Sequence, residues 1–385
     1  MLTLPPLSLY IHIPWCVRKC PYCDFNSHQS DTTLPERDYV QALAQDLLAD
    51  AELAQGRKLT SIFFGGGTPS LFSAGAIGQI LDHAERTLGF SDDIEITLEA
   101  NPGTFEQDKF TGFRAAGVNR LSIGIQSFQD EQLQALGRIH DSHSALRAAD
   151  TARRAGFDNL NLDLMHGLPG QSLSAAMDDL NTALSLEPEH LSWYQLTIEP
   201  NTVFYSQPPT LPIEDTLADI QDEGHARLEQ AGFKRYEVSA YARGARAQHN
   251  LNYWQFGDYL GIGAGAHGKI TQPNPGHVFR QWKTRQPEAY LSAQQGPGRY
   301  SNPFVAGREA IDPTALPLEF LLNTLRLNEG CAPELFPART GLPSQALEPH
   351  WQGLVDKGLV HPRHLRIGTT ELGMRFLNDV LGAYT

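Results

Sequence analysis

The sequence predicts an α/β protein: a partial (β/α)6 barrel core followed by a mostly helical, winged-helix-like C-terminal domain. Three observations carry that reading. Through the first half, short apolar runs alternate with helical patterns, the rhythm of βα units and a parallel sheet. The unusual polar and glycine residues fall directly after the apolar runs, where barrels of this kind gather their functional loops. Beyond residue 300 the order becomes helices, a hairpin at Gly358–Ile367 and a last helix from Thr370.

Taken in order, the expected strands are Leu7–Ile13, Ser61–Phe64, Ile94–Leu98, Arg120–Ile125, Asn159–Leu164 and Leu191–Thr197. Between them, helical spacing predicts Glu36–Gln55, Ala74–Leu88, Glu106–Ala116, Asp130–Arg138 with Ser142–Ala155, and Ser172–Leu186. The first strand runs into a cysteine loop, the second into Gly65-Gly66-Gly67-Thr68-Pro69, and the third into Glu99-Ala100-Asn101-Pro102. The fourth runs into Gln126-Ser127-Phe128, the fifth into Met165-His166-Gly167, and the sixth into Glu199-Pro200-Asn201. All of these belong on one rim. Gln207–Pro212 is proline-rich and reads as an elbow. A helix at Asp215–Gln230 and a strand at Tyr236–Tyr241 are expected to complete the open side of the barrel. A softer boundary at Gln295–Gly298 gives three expected units: residues 1–240 as core, 241–298 completing it, and 299–385 as the C-terminal domain.

A length of 385 residues suits two or three domains. A hydrophobic content of 41% with 19% charged residues is that of an ordinary soluble globular chain. The formal charge of −14 argues against bulk attraction to nucleic acid or to an anionic membrane, though not against a local basic pocket. Residues 301–385 carry 7 basic and 9 acidic residues, so their expected use is packing or partner docking rather than DNA binding. No apolar run is long enough to span a membrane. The N-terminus lacks a basic segment and a cleavage site, and only four cysteines are present, so a reducing, cytoplasmic location is expected.

The chemistry begins at Cys16, Cys20 and Cys23, spaced C-x3-C-x2-C. Three thiolates on one loop can hold three irons of a [4Fe–4S] cubane and leave the fourth iron open for a ligand. The same residues could instead form part of a Cys3His zinc site with His12 or His28, or a structural set of buried thiols. Zinc clips usually come as two spaced pairs, and Cys331 is far away with no partner. The glycines at 65–67 let backbone approach a ligand closely, because no Cβ intervenes. Backbone N–H and C=O groups there can meet the ammonium and carboxylate of an amino acid. Glu99, Gln126, Arg138 and Asp163 sit at or beyond strand ends, where carboxylates accept from amino or hydroxyl groups and Arg138 can offset a carboxylate. Gly261–Gly268 is glycine-rich but lacks the acidic residue and βαβ setting of a dinucleotide site, which leaves close packing or approach to a porphyrin. In His249-Asn250-Leu251-Asn252-Tyr253-Trp254, the histidine is either a haem iron ligand beside two aromatic faces or a hydrogen-bonded structural residue.

The C-x3-C-x2-C triplet is the signature of the radical S-adenosylmethionine (SAM) superfamily. Together with Gly65–Pro69 and His249–Trp254, it makes the chain resemble the coproporphyrinogen III oxidase-like branch over nearly its whole length, and within it the HemW-type heme chaperones. Three features point to the chaperone type. The cysteine motif continues Asp24-Phe25, where the oxidase has a further cysteine. The motif begins too early for the oxidase's N-terminal extension. The H-N-x-x-Y-W motif is the chaperone's mark. The resemblance implies a [4Fe–4S] cluster on Cys16, Cys20 and Cys23, whose open iron chelates SAM and reduces its sulfonium. It implies SAM contacts at Tyr10, Gly66, Gly67, Thr68, Glu99, Gln126, Arg138 and Asp163, and haem binding centred on His249. The implied partners are haem, haem-accepting proteins and an electron donor such as a flavodoxin, with a homodimer left open and no nucleic acid. The alternative is the oxidase itself, which converts propionates to vinyls by oxidative decarboxylation.

Overall fold

Period-two alternation decides which way each strand faces, and here it separates apolar from polar side chains. The computed structural model describes residues 2–30, 33–103, 107–293, 299–348 and 350–385. Its strands are β1 (Leu7–Ile13), β2 (Trp15–Cys16), β3 (His28–Gln29), β4 (Leu59–Gly66), β5 (Phe90–Ala100), β6 (Arg120–Gln126) and β7 (Leu160–His166). They continue with β8 (His190–Gln195), β9 (Lys234–Glu237), β10 (Ala240–Ala242), β11 (Asp258–Ile262), β12 (His267–Gln272), β13 (His277–Lys283) and β14 (Val305–Ala310). β1, β4, β5, β6, β7 and β8 run parallel and adjacent in that order, as the six βα units require. The apolar members, such as Leu9 and Ile11, Ile62 and Phe64, or Leu121 and Ile123, face outward into one core with the covering helices. The alternate residues face inward, Ser8 opposite Ser61 and Tyr10 opposite Phe63. The inner face therefore mixes aromatic residues with the polar lining that includes Glu99, Ser122, Asn161 and Asp163.

The helices begin where the sequence supplies an N-cap. Ser73 accepts from the Ala76 N–H at 3.2 Å, Asp141 from Ser144 at 2.8 Å, and Ser172 from Ala175 at 3.2 Å, opening helices Ala74–Leu88, Ser142–Arg154 and Leu173–Ser185. Several expected bounds shift. β4 and β5 extend at both ends, and the expected helix Glu36–Gln55 stops at Asp50 and passes into a 3-10 turn. The expected start of the third helix at Glu106 and the boundary at Gln295–Gly298 lie outside the described residues.

Three features were not legible in the sequence reading. The strand expected at Tyr236–Tyr241 is a hairpin, β9 and β10, added antiparallel to β8. On the other side of β1, β11 pairs in parallel and starts an antiparallel run β12, β13, β14. The glycine-rich segment lies within this run, and it is packed closely. A Cβ at Gly261 would stand 2.0 Å from the His267 carbonyl oxygen, and one at Gly263 would stand 2.4 Å from that of His12. Lys283 of β13 is fully buried and paired with Asp46 and, at 2.6 Å, with Asp50 of the helix Glu36–Asp50. This charge cluster ties the added strands to the first helix layer. A second core gathers Phe320, Phe336, Trp351 and Leu354 with Phe256 and Val278. The expected hairpin at Gly358–Ile367 is reduced to single bridges, Val360 with Thr369 and Ile367 with Cys331.

Candidate functional site

Six strand ends deliver their polar residues to one mouth. Cys16, Cys20, Cys23, Gly66, Gly67, Thr68, Glu99, Gln126, Arg138 and Asp163 all line a single cavity of about 220 Å3. Tyr10 stands behind it on the inner face of β1, its hydroxyl 2.8 Å from Nδ1 of His12. The cysteine loop is seated by backbone: the N–H of Gly67 donates to the Ile13 carbonyl and that of Thr68 to the Trp15 carbonyl, both at 2.8 Å. A Cβ on Gly67 would lie 2.4 Å from the Trp15 oxygen. The glycine is thus needed first for the approach of the cysteine loop. The Gly66 N–H is also engaged, donating to Glu99 at 3.3 Å. These three amides are taken, so the turn offers a ligand acceptors rather than the free donors that glycine content alone suggests.

The charged groups are held in a buried, polar setting. Arg138 donates to Oδ1 of Asn101 at 2.6 Å and to the Gly124 carbonyl at 2.7 Å, with Cys20 Sγ at 3.6 Å. Asp163 accepts from Ser122 at 2.9 Å and Asn161 at 2.7 Å, and burial still pushes its carboxyl up. Burial, with Asp163 close by, lifts Glu99 to about 8 against the pull of the Gly66 N–H. Two buried acids with raised affinity for protons make a pocket that a cationic ligand would ionise. Gln126 sits in the left-handed region at φ 70°, an arrangement that costs a non-glycine residue about 1 kcal/mol or more. Its Oε1 accepts from Tyr194, which the sequence reading passed over along with Ser122 and Tyr22. The polar alternation in Ser192–Tyr194 and Arg120–Ser122 was the available signal.

A second cavity of about 200 Å3 lies deeper in the lumen and shares Glu99, Ser122 and Asp163 with the first. His249 lines this lower cavity, not the cysteine mouth. It is 8% exposed and packs at a tilt against the Phe63 ring, centroids 4.4 Å apart. His249 Nδ1 lies 2.6 Å from Glu95, which also accepts the N–H groups of Gln248 at 2.9 Å and His249 at 3.2 Å. Burial draws the imidazole down, while Glu95 is held at about 2 by the His249 bond despite its own burial. The arrangement that satisfies both is an ionised Glu95 accepting Nδ1–H of a neutral ring, which leaves Nε2 unprotonated. Gln248–Trp254 is a regular helix: Tyr253, four residues on, packs edge-on against His249, whereas Trp254 and not Tyr253 lines the cavity beside it. Tyr253 and Trp254 therefore cannot both cover one porphyrin face beside His249, as an irregular segment would allow.

The radical SAM superfamily model matches residues 10–183. The chain is 51% identical over 382 residues to heme chaperone HemW of Escherichia coli, covering 99% of this chain and 98% of that one. It is 35% identical over 387 residues to HemW of Bacillus subtilis, covering 98% of each. The chain belongs to the HemW family. Coproporphyrinogen III oxidase, HemN, of Escherichia coli has the same fold, with a TM-score of 0.82 over 99% of this chain and 90% of that chain at 24% identity.

In this HemW-family chain the two histidines flanking the cysteine loop are already hydrogen-bonded, which leaves three thiols as the donor set. Both nitrogens of His12 are engaged, by the Tyr10 hydroxyl and by the Asn26 carbonyl at 2.9 Å, and His28 Nε2 lies 3.3 Å from Asn26 Oδ1. The three thiols line one open mouth together, and the radical SAM superfamily implies a [4Fe–4S] cluster. Burial pushes the Cys16 thiol up to about 11, with Thr68 and Ser27 pulling it back. A bound cluster's irons would supply the charge that keeps these sulfurs ionised. Among the described residues no helix is long and apolar enough to cross a membrane.

Proposed function

We propose that this protein is a heme chaperone on a radical SAM scaffold, which binds haem and passes it to haem-accepting proteins. One observation carries the reading: relatives named heme chaperone HemW match it along nearly the whole chain, C-terminal domain included. In this reading Cys16, Cys20 and Cys23 hold the [4Fe–4S] cluster, which supplies a site for SAM when bound. The residues facing it divide the work by charge. Glu99 and the carbonyl-bearing turn at Gly66–Thr68 accept from the SAM amino group, Arg138 faces its carboxylate, and Asp163 and Gln126 take the ribose and neighbouring donors.

His249 is the proposed haem ligand. Its support is the Nδ1 bond to Glu95, since a metal-ligating imidazole characteristically gives its other N–H to a carboxylate, which fixes the tautomer with Nε2 free. A cavity of about 200 Å3 is smaller than the ~300–1,000 Å3 of sites that enclose drug-sized ligands. Haem therefore reaches His249 only if this space widens. A cytoplasmic location, an electron donor such as a flavodoxin and a homodimer belong to the same proposal.

The test is direct. Reconstituted protein incubated with haem should bind it stoichiometrically and yield it to an apo-haem protein. His249→Ala should weaken binding or alter its spectrum. With coproporphyrinogen III, SAM and reductant there should be no vinyl product; multiple turnovers to such a product would replace the chaperone with the oxidase. Wild-type haem spectra in His249→Ala would move the ligand elsewhere, with His267 next.

A further inference from the structure

The floor of the lumen holds a buried guanidinium whose charge acts on Glu95 and Asp163 without a direct bond to either. Arg120 opens β6 and is 2% exposed, yet its guanidinium makes no hydrogen bond or salt bridge with any described residue. It lines the lower cavity, opposite the cysteine mouth. A buried guanidinium with no direct hydrogen bond to a described residue calls for an explanation, even with carboxylates nearby. Two more N–H donors on residues lining the same cavity, Trp254 Nε1 and Arg326 Nε, are also buried without acceptors.

The acids around this space are occupied. Glu237 accepts from the Ser239 N–H at 2.9 Å and from Arg326 at 3.2 Å. Asp163 is held by Ser122 and Asn161, and Glu99 by the Gly66 N–H. The cavity thus has donors to spare and few acceptors. We propose that the lumen floor is a binding site for a small carboxylate, received by Arg120 through paired N–H···O bonds. A planar carboxylate matches the guanidinium fork. Glu95 and Asp163 already lie in the field of Arg120, so the remaining donor capacity suits a monoanion rather than a phosphate dianion. The carboxylate can belong to a free small acid or to the propionate arm of a haem entering beside Trp254, and the site does not depend on haem binding.

The experiment uses the full-length, cluster-reconstituted protein and sodium propionate, against sodium chloride at equal ionic strength. Titration calorimetry and thermal melting should show one saturable propionate site per chain and a raised melting temperature. Propionamide, the neutral isostere, should have no effect, and this comparison needs no variant. Arg120→Gln should weaken propionate by about tenfold or more, and Trp254→Phe by a smaller factor with the fold intact. Equal responses to propionate and propionamide, or no saturable response in the unmutated protein, would overturn the site. If saturating propionate weakens haem binding, and haem dimethyl ester binds less well than haem, the carboxylate is the haem's. If haem binding is unchanged by propionate, the site takes a free acid. Because propionate is measured without haem, loss of this site and failure of the chaperone reading give separate results.

Discussion

Glu99 offers a measurable test of how the mouth of the barrel is built. Its carboxyl rises from the ordinary 4.5 to about 8, chiefly through burial, with Asp163 adding repulsion. Between these values the folded protein holds a proton that the unfolded chain releases. Stability from this group is therefore present at acid pH and is lost as pH rises through that window, flattening above about 8. A shift of this size would correspond to nearly ~5 kcal/mol at 1.36 kcal/mol per unit. Glu99 opens on a polar cavity, and screening by water there reduces the expected loss to about 2–3 kcal/mol. Glu99→Gln keeps an acceptor for the Gly66 N–H and removes the titration. Urea denaturation of cluster-free protein should give similar stabilities for the two proteins near about pH 4.5, with the variant gaining steadily to a plateau above about pH 8. A difference that does not change with pH, or a wild type that gains on the variant as pH rises, would refute the argument and mean that Glu99 is ionised beside an unrecognised cation.

Other outcomes follow from the same geometry. Anaerobic reconstitution should load about four irons per chain, lost on changing Cys16, Cys20 or Cys23 to Ala and retained in Cys331→Ala, as read by iron analysis and absorbance. Gly67→Ala sets a Cβ against the Trp15 carbonyl and should cost about 1–3 kcal/mol with reduced iron loading, whereas Gly78→Ala, in a helix interior with its nearest contact at 3.6 Å, should stabilise by about 0.5–1 kcal/mol. Lys283→Met leaves Asp46 and Asp50 without their cation and should cost about 3–5 kcal/mol at neutral pH in a denaturation experiment. Part of that loss should return as pH falls, because burial already pushes the Asp46 carboxyl up and it takes up a proton more readily once Lys283 is gone.

The parallel core was readable because each strand is short, apolar on alternate residues and followed by a marked loop. Position after a strand was enough to bring Glu99, Gln126, Arg138 and Asp163 to the cysteines. What escaped was the inner face. Arg120, Asn161 and His190 sit early in their strands, where a barrel floor is expected to be structural, and their alternation with leucine and isoleucine was read only as strand character. The β11–β14 extension escaped for another reason. β11 joins β1 by a pairing between distant segments, and no local pattern specifies which distant edge a short strand will choose. His249 was legible as a distinctive residue, but its carboxylate partner Glu95 lies 154 residues earlier in the chain.

The position of β1 in the middle of the sheet bears on how the protein is made. One neighbour of β1, β4, emerges early, but the other, β11, is near residue 260. The loop carrying the cysteines is pinned by Asn26, which donates to the carbonyl of Ala264, 238 residues on, and to that of Arg285, 259 residues on. A nascent chain therefore displays its three thiols long before it can seat them, because contacts this distant in sequence form last. Cluster insertion into a finished site must wait until at least two-thirds of the polypeptide has left the ribosome. A fragment ending with the six parallel strands would present the motif without the scaffold that holds it.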